Sequence, residues 1–188
     1  MNIYDFDNTI YDGESAVDFF FFCLKKDSSL LKLVPLMLIN VVKYKMCLIS
    51  IDELTGYVEK YAKDLLDGFD NLDSLLVEFW DKNFKKIKPF YLKQKKEDDI
   101  LLTATFGFLI KIPTEKLGIN TVISSEVDTK TGKLIQLCYR EHKKELLQKH
   151  LSDNEKISFY TDSMNDKSMI DFADEAYLVK GEKIKRLK

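Results

Sequence analysis

At 188 residues, with 45% hydrophobic and 32% charged side chains, the chain is long enough to bury a core, as one domain or as a core with an insertion. A net charge of −2 and a pI near 5.8 argue against a polyanionic partner, and no nucleic acid is expected. Three scattered cysteines, Cys23, Cys47 and Cys138, have neither metal-type nor redox spacing and read as reduced, buried thiols of a cytoplasmic protein.

The first element is a short strand ending in acids. Tyr4 and Phe6 favour extended structure, and Asp5, Asp7, Asn8 and Thr9 gather where the strand should stop. Two carboxylates this close repel unless a cation lies between them, and Mg²⁺ takes oxygen ligands of this kind. Alone, the stretch reads equally well as a solvated acidic turn. It follows Met1 so closely that no signal peptide is expected. Asp12-Gly13-Glu14-Ser15 reads as a turn, with Gly13 at positive φ.

Residues 16–25 are apolar on nearly every side, which predicts a helix buried from several directions. A second helix is expected over 30–45, kinked or broken at Pro35. Its most apolar part, 30–42, is too short to span a bilayer and fits a buried helix, so no stable membrane insertion is expected. Ser50-Ile51-Asp52-Glu53 has capping-box spacing, and Leu54, Tyr57, Val58, Tyr61 and Leu65 share the face of the helix that follows. Asp70 is the expected cap of another, with Leu72, Leu75, Leu76, Phe79 and Trp80 recurring at helical spacing. The Met, Phe and Leu stripes of this bundle read as core. Seven lysines in 82–96 read as a solvated return segment.

From residue 98 the pattern turns α/β. Strands are expected over 99–105, 121–124, 134–137, 157–161 and 175–179, with a hairpin turn at 128–133. Helices fall between them: one ends at Gly118, one covers 140–150 with Leu146 and Leu147 inward, and a short one runs to Phe172. A polar, basic tail closes the chain. This alternation argues for a doubly wound parallel sheet, in which ligands sit at the carboxyl ends of the strands. Three such ends carry polar groups: Asp5/Asp7/Thr9, Thr103/Thr105 and Asp162/Ser163/Asp166.

Asp5-Phe6-Asp7-Asn8-Thr9 resembles the DxDxT first motif of the haloacid dehalogenase superfamily, whose members are mostly phosphatases. Thr103, the stretch Cys138 to Lys143, and Asp162-Ser163-Met164-Asn165-Asp166 resemble the later motifs, in order. The resemblance implies a Rossmann-like core over 1–14 and 90–188 with an all-helical cap over 15–89, as in phosphoserine phosphatase-like members. It implies Asp5 as the nucleophile that forms an aspartyl-phosphate and Asp7 as the general acid/base. Thr9, Thr103, Ala104 and Lys143 are expected around the phosphoryl group, with Lys143 preferred to Lys144. Asp5, Asp7, Asp162 and Asp166 are the expected Mg²⁺ shell.

Two departures bear on substrate. Thr161 stands where glycine is usual, and Ala104-Thr105 replaces a Gly-Gly. Glu14 lies where the subfamily meets a substrate amine, but the only arginines are Arg140 and Arg186, so the insertion offers none for a carboxylate. The expectation is a Mg²⁺-dependent phosphomonoesterase acting on a small phosphorylated metabolite, with amino-alcohol or polyol phosphates ahead of phosphoserine. A phosphotransferase or mutase with the same nucleophile, and a non-enzymatic domain docking on a partner or membrane, are the alternatives.

Overall fold

The computed structural model describes residues 1–69, 71–151 and 155–188. Its centre is a seven-stranded sheet in which β1 (Asn2–Tyr4) lies between β2 (Ile100–Phe106) and β5 (Ser158–Thr161). β3 (Thr121–Val127) extends the sheet beyond β2, and β6 (Glu175–Lys180) beyond β5, all five running parallel. β4 (Leu134–Gln136) and β7 (Lys183–Arg186) close the two edges antiparallel. The chain leaves β1 towards β2 and β3, then returns to β5 on the other side of β1. That reversal opens a crevice at the carboxyl ends of β1 and β5. The fold is the expected α/β class, and the basic tail proves to be strand β7, whose pairing with β6 covers an edge.

Helices α6 (Gly107–Leu117), α7 (Glu141–Gln148) and α8 (Lys167–Phe172) follow their strands as expected. Gly118 ends α6 at φ 71°, where a side chain would be strained. Between β1 and β2 the chain is helical: α1 (Ser15–Lys26), α2 (Leu33–Lys45), α3 (Ile51–Leu66), α4 (Leu72–Asn83) and α5 (Pro89–Gln94). The capping box at α3 is formed in both directions: Glu53 N–H donates to Ser50 Oγ at 3.1 Å, and Ser50 N–H to Glu53 Oε2 at 2.8 Å. Asp70, the expected cap of α4, lies outside the described residues; Asn71 caps that helix by accepting from Ser74 N–H.

The structure differs from expectation in four places. Pro35 neither kinks nor breaks α2, because it sits in the first turn, where its missing N–H costs no hydrogen bond. α2 is not a buried helix: Leu36, Leu38, Ile39 and Val42 are each about half exposed, since α3 packs against only its other side. α1 likewise buries Phe19 and Cys23 but leaves Val17 and Phe21 half exposed. Cys47, expected to be buried, is exposed at φ 57°. The insertion nonetheless shares one core with the sheet. Trp80 of α4 packs edge-on against Phe6 and Tyr11, and its indole N–H donates to the Leu109 carbonyl of α6 at 2.6 Å. Among the described residues no helix is long and apolar enough to cross a membrane.

Candidate active site

The site forms where β1 runs out. Asp5 N–H still pairs with the Tyr160 carbonyl of β5, which fixes the aspartate at the crevice floor. The next residues fold into a tight loop. Thr9, Ile10 and Tyr11 all direct their N–H groups at the Phe6 carbonyl, and Asn8 N–H meets the Gly13 carbonyl. Asn8 takes a left-handed φ of 55°, which Asn tolerates better than most side chains. Gly13, at φ 134°, has the positive φ expected of it.

Lys143 reaches the crevice from the first turn of α7. It is 2% exposed, and its ammonium lies 3.1 Å from Asp5 Oδ1 and 3.1 Å from Asp166 Oδ2. Lys144 points elsewhere, over the Phe172 ring. The Thr161 hydroxyl donates to the same Asp166 oxygen at 2.8 Å. Thr161, at the position where glycine is usual, therefore helps to hold the lysine's carboxylate partner. Burial works against charge on Lys143, but Asp5 and Asp166 outweigh it and hold its pKa above the ordinary value. Burial pushes the Asp5 carboxyl up to about 6, against the pull of Lys143 and with Asp166 adding to the rise. One cation thus serves two buried carboxylates, and the cluster carries excess negative charge.

Asp7 is held differently. Its Oδ1 accepts from Ser15 N–H at 2.8 Å, and its Oδ2 accepts from the Thr105 hydroxyl at 2.5 Å. Burial raises its pKa, and Thr105 and Ser15 temper the rise. A carboxyl with a raised pKa and a fixed orientation can give a proton and take it back. Asp162 ends β5; burial raises its pKa too, against the opposing charge of Lys180. Glu14 stands at the mouth, where its carboxylate accepts from Asn8 Nδ2 at 2.6 Å; burial, Asp7 and Asp162 raise its pKa.

The remaining expected residues separate. Thr103 is buried, and its hydroxyl accepts from Thr105 N–H, while Ala104 is exposed. Thr9 is fully buried, with no partner for its hydroxyl. The four acids expected as a metal shell do not converge as one set. Asp7 is turned to Ser15 and Thr105, and Asp166 to Lys143 and Thr161; no group of three His, Cys, Asp or Glu able to hold a metal is found among the described residues. Asp5 and Asp162 remain, at the ends of paired strands. One or two carboxylates completed by water is how Mg²⁺ is commonly held, so the residues fit that ion in this reduced form.

Two roles were not legible in the sequence, although Thr105 was read as part of a polar strand end. Lys88, one of seven lysines in the return segment, is 4% exposed and donates from Nζ to the Asn8 carbonyl, bracing the loop. Nothing distinguishes it locally from its neighbours. Thr105 carried a weak signal, as a hydroxyl where the resemblance led one to expect glycine.

The fold and the carboxylate–lysine cluster at its switch point define an α/β enzyme. The chain belongs to the haloacid dehalogenase-like hydrolases, whose family model matches residues 3–171. No curated protein matches it. Among solved structures it is similar to a protein of unknown function from Bordetella pertussis Tohama I, at a TM-score of 0.76 and 16% identity over 94% of this chain and 87% of that one. It is also similar to a phosphoserine phosphohydrolase-like protein from Francisella tularensis, at 0.59 and 14% over 93% and 84%. A phospho-aspartyl intermediate analogue of phosphoserine phosphatase matches at 0.50 and 18% over 93% and 83%.

Proposed function

We propose that the chain is a Mg²⁺-dependent phosphomonoester hydrolase acting on a small phosphorylated metabolite through an aspartyl-phosphate on Asp5. The observation that carries this reading is the buried Lys143 ammonium shared by Asp5 and Asp166, two residues from an Asp7 oriented by two donors. Asp5 attacks phosphorus as the bond to the leaving oxygen breaks, and Asp7 delivers its proton to that oxygen. Asp7, now ionised, takes a proton from water as the water attacks the phosphoryl group on Asp5, and both carboxylates return to their starting forms. Lys143 offsets charge on the phosphoryl oxygens, with Asp166 and Thr161 holding it in place. Mg²⁺, held by Asp5 and Asp162, would supply further positive charge beside the reacting phosphoryl group. The side chains of Asp7 and Asp166 are turned to other partners in this structure and are not assigned to that shell. Thr103 and Ala104 are assigned to the phosphate-binding strand end, Thr9 to the support of the loop, and residues 15–89 to a cap that reads the leaving group. The solved phospho-aspartyl analogue of a protein with this fold lends precedent to the intermediate.

The test is inorganic phosphate release from a panel of phosphomonoesters with Mg²⁺, on wild type and Asp5→Asn. The amide is a poor nucleophile, so activity in Asp5→Asn above about one per cent of wild type overturns the covalent route. Repeating the assay with an added alcohol acceptor separates hydrolysis from transfer.

A further inference from the structure

Between the helical insertion and the sheet lies a cavity of about 130 Å³ with an almost wholly apolar lining. α1 gives it Ala16 and Phe20, α2 gives Met37, α3 gives Tyr61 and Leu65, and the turn into α6 gives Phe106. Among the described residues no charged side chain lines it. The one polar atom of note, the Tyr61 hydroxyl, accepts from Asn40 Nδ2 at 2.7 Å. Its position matters more than its size. The two groups that hold Asp7 are Ser15 N–H and the Thr105 hydroxyl, and the next residue after each, Ala16 and Phe106, lines the cavity. Each group that holds Asp7 is thus followed in the chain by a residue that lines the cavity, which sets the cavity beside the segments that orient this carboxyl.

We infer that this cavity receives the leaving group, and that the substrate is a phosphate monoester of an apolar alcohol. The inference rests on the hydrolase reading above. A leaving group carrying an ammonium and a carboxylate, as in phosphoserine, would be stripped of water in this cavity without a partner for either charge. An alkyl or aryl group loses nothing by entering. An apolar cavity of 150 Å³ stays dry and takes benzene, so about 130 Å³ suits roughly six carbons. Glu14, at the mouth and hydrogen-bonded to Asn8, is left to the rim and does not line the cavity. The amino-alcohol or polyol expected from Glu14 is replaced by an apolar group.

The experiment is a chain-length series, ethyl to octyl phosphate, set beside phosphoserine, phosphoethanolamine and glycerol phosphate. The specificity constant is expected to climb about fourfold per methylene and to level off near six carbons, with phosphoserine well below the longer esters. Met37→Trp, which fills the cavity, should bring the hexyl-to-ethyl ratio towards one; Ala62 of α3 also lines the cavity, and Ala62→Phe is the second filling variant, should the first not fold. The same series is titrated by calorimetry onto Asp5→Asn, which reads binding without turnover. A flat series in both assays, or phosphoserine as the best ester, overturns the cavity assignment and leaves the hydrolase reading standing. Chain-length-dependent binding with no ester hydrolysed supports the cavity and overturns the hydrolase reading.

Discussion

Replacing Asp5 by asparagine should destroy activity and yet stabilise the metal-free protein. Asp5 is 9% exposed and shares the Lys143 ammonium with Asp166, so its ionised form is held at a cost. A carboxyl raised from 3.8 to about 6 contributes stability that is complete below pH 4 and is lost as pH rises through 6. Over that interval wild type gives up at most ~3 kcal/mol, and solvent relaxation in the crevice reduces this to about 1–3 kcal/mol. Asparagine does not ionise, and Lys143 keeps its contact with Asp166. In chelator, the melting temperature of Asp5→Asn should exceed that of wild type by roughly 2–12 °C at pH 7.5 for a chain of this size. The gap should roughly halve by pH 5 and close below about pH 4. Added Mg²⁺ should narrow it at pH 7.5 by stabilising wild type alone. A variant less stable than wild type at pH 7.5, or a gain equal at pH 5 and pH 7.5, would refute the charge-crowding argument.

Lys143→Met should be the opposite case, because it leaves Asp5 and Asp166 together without a cation. A loss of about 3–5 kcal/mol in chemical denaturation at pH 7.5 is expected, with phosphate release down by at least ~10²-fold. Thr105→Val removes a donor that favours ionised Asp7, so the Asp7 pKa rises. The limb of the pH–rate profile that reports Asp7 should shift to higher pH, with kcat/KM falling roughly 10–100-fold; an unshifted profile would separate Thr105 from the proton transfer. Asp162→Ala should raise the Mg²⁺ concentration needed for half-maximal rate by about tenfold or more, while KM for the ester changes less. Activity that survives exhaustive chelation would remove the metal from the scheme.

The sheet and the main acids were readable because each is set by local pattern. Short continuous apolar runs mark the strands, and carboxylates at their ends mark the crevice. The preference for Lys143 over Lys144 came from resemblance, and the tertiary reason for it is helix phase. In α7, residue 143 turns in with Leu147, while 144 turns towards Phe172. Local pattern was misleading for α2, where an apolar run suggested burial but packing covers only one side. It was silent on strand β7, whose Lys-Ile-Lys-Arg sequence becomes a strand only because β6 offers an edge.

By itself the sequence determined the α/β alternation, the helical insertion after the first strand, the caps at Ser50 and Gly118, and the chemistry available at three strand ends. These follow from periodicity, φ preference and side-chain type, which need no knowledge of distant neighbours. Tertiary structure alone decided how those groups divide the work. Asp7 and Asp166, alike in sequence as strand-end acids, meet different donors 98 and 5 residues away, Thr105 and Thr161. Lys88 became a brace, and the aromatic and methionine stripes of the insertion came to line a cavity as well as a core. Hydrogen-bond partners and cavities are set by how elements pack, and packing joins residues that no local window of sequence contains.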